Sequence, residues 1–174
     1  MNVAYHERTK AHWGQKTHGG HRYADEHWLK KYADEILFLL PHGGTLLDVG
    51  CGACELTVYL ASAFDFVYAI DFSESMLAAA RERLHKRSVT NIKLTYGQAE
   101  KFPSEIDNVN CVLSYGMVQY LDNQGFVKHL QECYRVLNKK APPGSPWVSW
   151  EDSMVILGRE RPCKTPRFIN TCWA

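Results

Sequence analysis

The sequence predicts an α/β fold: a doubly wound, mostly parallel sheet with helices on both faces, its C-terminal strands incomplete or divergent. Three observations carry this. Short apolar runs alternate with longer stretches whose apolar residues recur at helical spacing. The connections between successive runs are too short for anything but right-handed crossovers. After Asn138 the pattern changes to a stretch rich in Pro, Trp and Arg with little sustained periodicity.

The elements follow in order. Residues 27–40 place Trp28, Leu29, Tyr32, Ala33, Ile36, Leu37 and Leu40 on one helical stripe, stopped by Pro41 and Gly43-Gly44. Thr45 to Val49 is a short apolar strand of the kind buried in a parallel sheet. Glu55 to Phe64 reads as a helix, and Phe66 to Ile70 as a second strand closed by Asp71. Ser73 is placed to cap the next helix, which carries Met76, Leu77, Ala80 and Leu84 on one face. Asn91 to Gly97 alternates through Ile92, Leu94 and Tyr96 as a third strand, and Val109 to Tyr115 supplies a fourth. A helix follows with Phe126, Val127, Leu130, Cys133, Val136 and Leu137 at helical spacing. Trp147 to Trp150 and Met154 to Leu157 are short enough for a fifth and a sixth strand.

Bulk properties narrow the function. A chain of 174 residues suits one domain with a real core, and 45% apolar with 22% charged residues is ordinary for a globular protein. The 20 basic and 19 acidic residues leave a net charge of +1, which makes no electrostatic case for nucleic acid or an anionic membrane as partner. The N-terminal MNVAYHERTK lacks a signal-peptide core, and the apolar run at 36–41 is far short of the roughly 20 residues that span a bilayer. A cytoplasmic protein is expected, with its six cysteines as reduced thiols. Cys51-x-x-Cys54 has redox spacing but sits inside a glycine turn without a second such pair, so neither a redox centre nor a metal site is expected.

The chemistry concentrates at LLDVGCGACE, residues 46–55: an apolar run, an acid, then Gly-x-Gly. In a doubly wound sheet ligands bind outside the carboxyl ends of the strands, where the strand order reverses. This turn, Asp71, Gly97 to Glu100 and Ser114 to Gly116 all fall at such ends, so four features converge on one rim. The dinucleotide fingerprint requires a third glycine where this chain has Glu55, whose carboxylate would repel a pyrophosphate, and no Gly-Lys-Ser/Thr P-loop is present. A ligand without phosphates suits these residues better than NAD.

The turn Asp48-Val49-Gly50-Cys51-Gly52 resembles the first motif of class I S-adenosylmethionine-dependent methyltransferases, an acid followed by alternating glycines, and the resemblance extends over about residues 20–140. It implies a Rossmann-like fold and S-adenosylmethionine as cofactor. Asp48, Gly50, Cys51 and Gly52 would then lie along the methionine moiety, with Asp48 at the rim facing the positive amino group and sulfonium. Asp71 matches the acid that accepts from both ribose hydroxyls, a bidentate charge-assisted arrangement. Phe72 and Met76 would pack on the adenine. Gln98, Ala99 and Glu100 match the segment that reads it, the Gln98 side chain accepting from the exocyclic amine and the Ala99 N–H donating to a ring nitrogen. Ser114 and Tyr115 open the motif lining the methionine part and the substrate side, and Glu132 to Leu137 resembles the helix leading to a fifth strand. Three positions depart from the family: Cys54 replaces the third glycine, Gln98 an aspartate, and Gln119 a common histidine.

The implied reaction is methyl transfer to the oxygen or nitrogen of a small-molecule acceptor. It needs alignment and exclusion of water, plus a base where the acceptor is a hydroxyl. Residues 1–26 are expected to form a cap holding a histidine cluster (His6, His12, His18, His21 and, just beyond, His27), with Tyr5, His12, Trp13 and Tyr23 lining the acceptor pocket and His18 or His21 touching the acceptor. Residues 27–152 form the cofactor-binding domain and 153–174 a divergent or truncated tail. Two other readings stand beside this one: a truncated module that binds the cofactor without turnover, and an NAD-linked enzyme. The acceptor and the oligomeric state are left open by the sequence.

Overall fold

In a computed structural model of the chain, the described residues are 11–17, 25–40, 42–137, 147–150 and 153–157. Helix α1 (Glu26–Leu39) begins at Asp25, whose side chain accepts from the His27 N–H. Strand β1 (Thr45–Val49) leads through the glycine turn to a short helix α2 (Thr57–Leu60) that continues as one 3-10 turn, Ala61–Ala63. Strand β2 (Phe66–Asp71), helix α3 (Glu74–Lys86) and strand β3 (Ile92–Tyr96) complete a second unit. Strand β4 (Cys111–Tyr115) and helix α4 (Asn123–Val136) follow, then β5 (Trp147–Trp150) and β6 (Ser153–Leu157).

The sheet order is β3-β2-β1-β4-β6-β5. The first four strands are parallel, so the order reverses beside β1 and a crevice opens above β1 and β4. Successive β1 residues serve opposite faces. Leu46 joins Ala33, Ile36, Leu60 and Leu113 under α1 and α2, whereas Leu47 and Val49 join Ile70, Val112, Cys133 and Val136 under α4. Helix α3 packs Leu77, Ala80 and Leu84 on Ala69. Truncating any of the fully buried leucines here to alanine removes about 2–5 kcal/mol.

Four sequence expectations need correction. The helix expected over 55–64 starts at Thr57, because Cys54 and Glu55 are spent completing the turn. The strand expected from Val109 starts at Cys111; Val109 instead bridges to Leu137. On α4 the buried line runs Gly125, His129, Cys133 and Val136, leaving Val127 53% and Leu130 38% exposed. On α1, Trp28 is 48% exposed, with the Lys31 ammonium over its ring. In both helices the apolar residues outnumber the positions that one face can bury.

The C-terminal strands depart from the parallel pattern. β6 pairs antiparallel with β4 along its whole length, from Cys111 opposite Leu157 to Tyr115 opposite Ser153. β5 pairs antiparallel with β6 at the sheet edge. Among the described strands β5 is therefore not the neighbour of β4; β6 is inserted between them.

Candidate functional site

The glycine turn is held against the end of β2, where the Gly50 and Cys51 N–H groups both donate to the Ile70 carbonyl, at 2.8 and 3.1 Å. Its two glycines do different work. Gly50 has φ +74°, and a Cβ there would lie 2.8 Å from both Cβ and Cγ of Met117. Gly52 has φ +55°, and a Cβ there would make only ordinary van der Waals contacts, with Glu55 Oε2 and Met76 Sδ at 3.9 Å. Its backbone is thus less closely covered than that of Gly50. Cys54 keeps the left-handed conformation that a third glycine adopts freely (φ 55°), at a cost of about 1–2 kcal/mol. Its side chain is fully buried against the α3 core. A hydrogen bond with Cys54, together with burial, pushes the Cys51 thiol well up, so Cys51 is held as a thiol.

Three carboxylates surround this turn. Asp48 lies one residue below the end of β1, buried rather than at the rim, because the strand runs on through Val49. Its Oδ2 accepts from Thr57 Oγ1 at 2.7 Å. Burial, with the Asp71 charge as a lesser contributor, pushes its carboxyl up to about 6. Asp71 ends β2 with both oxygens held: Oδ2 accepts from Gly52 N at 2.9 Å and Oδ1 from Ser73 N at 2.8 Å. Burial raises its carboxyl, and these backbone donors oppose the rise. Glu55 is buried with Oε1 3.8 Å from Arg83 Nη2, while Arg83 Nε donates to the Ala53 carbonyl. Ser73 caps α3, its Oγ accepting from Met76 N at 3.3 Å, which fixes buried Met76 and half-buried Phe72 beside Asp71.

The second wall is the turn after β3. The Lys101 N–H closes it by donating to the Gln98 carbonyl at 3.1 Å, with half-buried Gln98, Ala99 and Glu100 between β3 and α4. Ser114 is fully buried near the end of β4, and Tyr115 packs its ring on Tyr32 of α1. Between Ala99 and Ser114 stands His129, a fully buried group that the sequence reading passed over. A histidine within an apolar helical stripe gives no local signal of such a role.

Residues 11–17 cross this rim. Ser73 Oγ donates to the Trp13 carbonyl, Ser75 Oγ to the carbonyls of Gly14 and Lys16, and the Trp13 ring meets Tyr120 edge-on at 5.5 Å. Exposed His12 stacks edge-on against Trp13, and His27 lies on exposed α1 surface. His18, His21, His6, Tyr5 and Tyr23 fall outside the described residues. Gln119 is exposed, its amide donating to the Gly116 carbonyl. Among the described residues no three His, Cys, Asp or Glu side chains group to hold a metal, and no helix is long and apolar enough to cross a membrane.

Comparison with known proteins adds to this geometry. A family described as a methyltransferase domain matches residues 46–140, from β1 past the end of α4. Demethylmenaquinone methyltransferase of Geobacillus sp. (strain WCH70) is 32% identical over 119 residues, 66% of this chain and 48% of that protein. This chain thus spans about half the length of the curated relatives it matches. Phosphoethanolamine N-methyltransferase 1 of Haemonchus contortus, solved with phosphoethanolamine and S-adenosylhomocysteine, has a TM-score of 0.66 at 23% identity, over 79% of this chain and 31% of that one. Phosphoethanolamine N-methyltransferase 2 of the same organism, solved with phosphomonomethylethanolamine and S-adenosylhomocysteine, is 26% identical with a TM-score of 0.55, over 62% and 26%. With the motif order, the strand order and the family match in agreement, this chain belongs to the methyltransferase-domain family, with the class I fold.

Proposed function

We propose that the protein binds S-adenosylmethionine across the rim of β1, β2, β3 and β4 and transfers its methyl group to the oxygen or nitrogen of a small-molecule acceptor. The observation that carries this reading is the acidic lining of the glycine turn. Asp48, Glu55 and Asp71 converge on Gly50 to Gly52, with Arg83 as a basic partner 3.8 Å from Glu55. Such a lining attracts a cationic ligand and repels a pyrophosphate. The lightly covered backbone at Gly52 and the Asp71 carboxylate held by two backbone donors suit a ligand that lies on the backbone and presents vicinal hydroxyls.

When bound, the cofactor supplies a methyl carbon on a sulfonium whose leaving group is a neutral thioether. The chain's own residues bind, orient and dry the site. Asp71 accepts from the ribose hydroxyls, Phe72 and Met76 cover the adenine, and Gln98 and Ala99 read its edge. Asp48 and Glu55 complement the positive charges beside Gly50, Cys51 and Gly52, while Glu100, Ser114 and Tyr115 close the opposite wall. Residues 1–26 act as the cap, and the bonds from Ser73 and Ser75 to the 13–16 backbone support that role. His18 or His21 takes the proton from the acceptor. Replacing each by alanine with turnover unchanged would refute that assignment.

The test is release of S-adenosylhomocysteine from S-adenosylmethionine by the full chain across a panel of small amines, phenols and quinols. Acceptor-dependent release is expected. Tight cofactor binding without release on any acceptor would favour a binding-only module.

A further inference from the structure

His129 belongs to no part of the reaction described above, yet it is fully buried and doubly hydrogen-bonded. Its Nδ1 lies 2.9 Å from the Ala99 carbonyl oxygen and its Nε2 2.9 Å from Ser114 Oγ. A carbonyl only accepts, so Nδ1 carries the proton; in the neutral ring Nε2 then accepts from the Ser114 hydroxyl. Phe102 meets the ring edge-on at 5.7 Å, and Cys133 Sγ, one helical turn on, lies 3.6 Å from Nε2. The tautomer and the ring plane are therefore both set. One turn along α4, Glu132 Oε2 accepts from the Phe102 N–H at 2.7 Å, so α4 grips the 99–102 segment at both ends.

We propose that His129 is a positioning residue that ties the adenine-reading Gln98 to Glu100 turn to the end of β4, and thereby sets selectivity for the base. This rests on the cofactor reading above. A peptide whose carbonyl is pinned from behind cannot rotate, so the neighbouring Ala99 N–H and the Gln98 side chain keep one geometry toward the ligand edge. Releasing the carbonyl lets the turn adjust to either hydrogen-bond pattern, which erodes discrimination before it erodes the fold.

The experiment is calorimetric titration of the full chain with S-adenosylhomocysteine and with S-inosylhomocysteine, in which an oxo group replaces the exocyclic amine. The wild type is compared with His129→Asn, His129→Gln and His129→Phe. Asparagine places a donor where Nδ1 stood and keeps the Ala99 bond. Glutamine reaches the Nε2 position and keeps only the Ser114 bond, and phenylalanine keeps the volume and neither bond. The wild type and His129→Asn are expected to prefer the adenine ligand, with the preference falling about tenfold in His129→Gln and His129→Phe, the worth of roughly one hydrogen bond. Equal loss for both ligands in all three variants, tracking thermal stability, would overturn the positioning role. If His129→Phe does not fold, the pair His129→Asn and His129→Gln carries the test, and equal selectivity in these two variants overturns the proposal. Failure of the wild type to bind either ligand would instead overturn the cofactor reading itself.

Discussion

Asp48 offers the most quantitative test of the acidic turn. Its carboxyl is pushed from an ordinary value of 3.8 up to about 6 by burial, which corresponds to about 3 kcal/mol against the ionised form in the fold. A group whose folded value lies above its unfolded value stabilises the fold below the unfolded value and loses that contribution as pH rises through the folded one. Asp48 therefore makes the ligand-free protein less stable at neutral pH than it would be with a neutral side chain. Asp48→Asn removes the titration while retaining an acceptor for Thr57 Oγ1. Its extra N–H₂ has its own desolvation cost, but that cost does not vary with pH, so the informative quantity is a difference. Measured by denaturant unfolding without ligand, the stability of the variant relative to wild type should rise by about 2 kcal/mol between about pH 4.5 and pH 8, the part of the 3 kcal/mol that falls in this window. Affinity for S-adenosylmethionine at pH 8 should meanwhile fall about tenfold or more, because the carboxylate that opposes folding is the one that attracts the cation. A pH-independent stability difference would refute the burial argument, and unchanged affinity would refute the electrostatic one.

Four further outcomes are expected. Asp71→Ala should weaken S-adenosylhomocysteine binding about a hundredfold or more by removing two charge-assisted acceptors, with circular dichroism unchanged; calorimetry on the folded variant checks this. Gly50→Ala should destabilise by about 2–4 kcal/mol, since it combines a left-handed residue with a 2.8 Å approach to Met117. Gly52→Ala should cost only the backbone part, about 1–2 kcal/mol, yet block the ligand, and paired unfolding and binding curves separate the two. Burial holds the His129 imidazole below its ordinary 6.5, so the unfolded chain takes up the proton first and stability is lost as pH falls through that value. His129→Phe should flatten this limb, read as the pH slope of unfolding free energy against wild type.

What the sequence revealed was local. The Asp48-Val-Gly-Cys-Gly run, Asp71 closing β2 and the Ser73 cap are each set by a few adjacent residues, and their spacing states what the backbone must do there. The α3 face was equally legible, since Met76, Leu77, Ala80 and Leu84 are the buried residues of that helix. What escaped depends on distant partners. Val127 and Leu130 have the right spacing for a core stripe, but the loop over 98–102 decides which face of α4 is covered, and it chooses the one bearing His129. The insertion of β6 between β4 and β5 likewise depends on pairing across some 40 residues of chain, which periodicity cannot express. Asp48 read as a rim residue because a motif gives chain position, not depth.

Binding of S-adenosylmethionine at this rim through an acidic site that excludes phosphates is decided by calorimetric titration of the full chain with S-adenosylmethionine, S-adenosylhomocysteine and NAD. Saturable one-to-one binding of the first two with no response to NAD is expected, whereas tight NAD binding with no response to the others would refute the acidic, phosphate-free site.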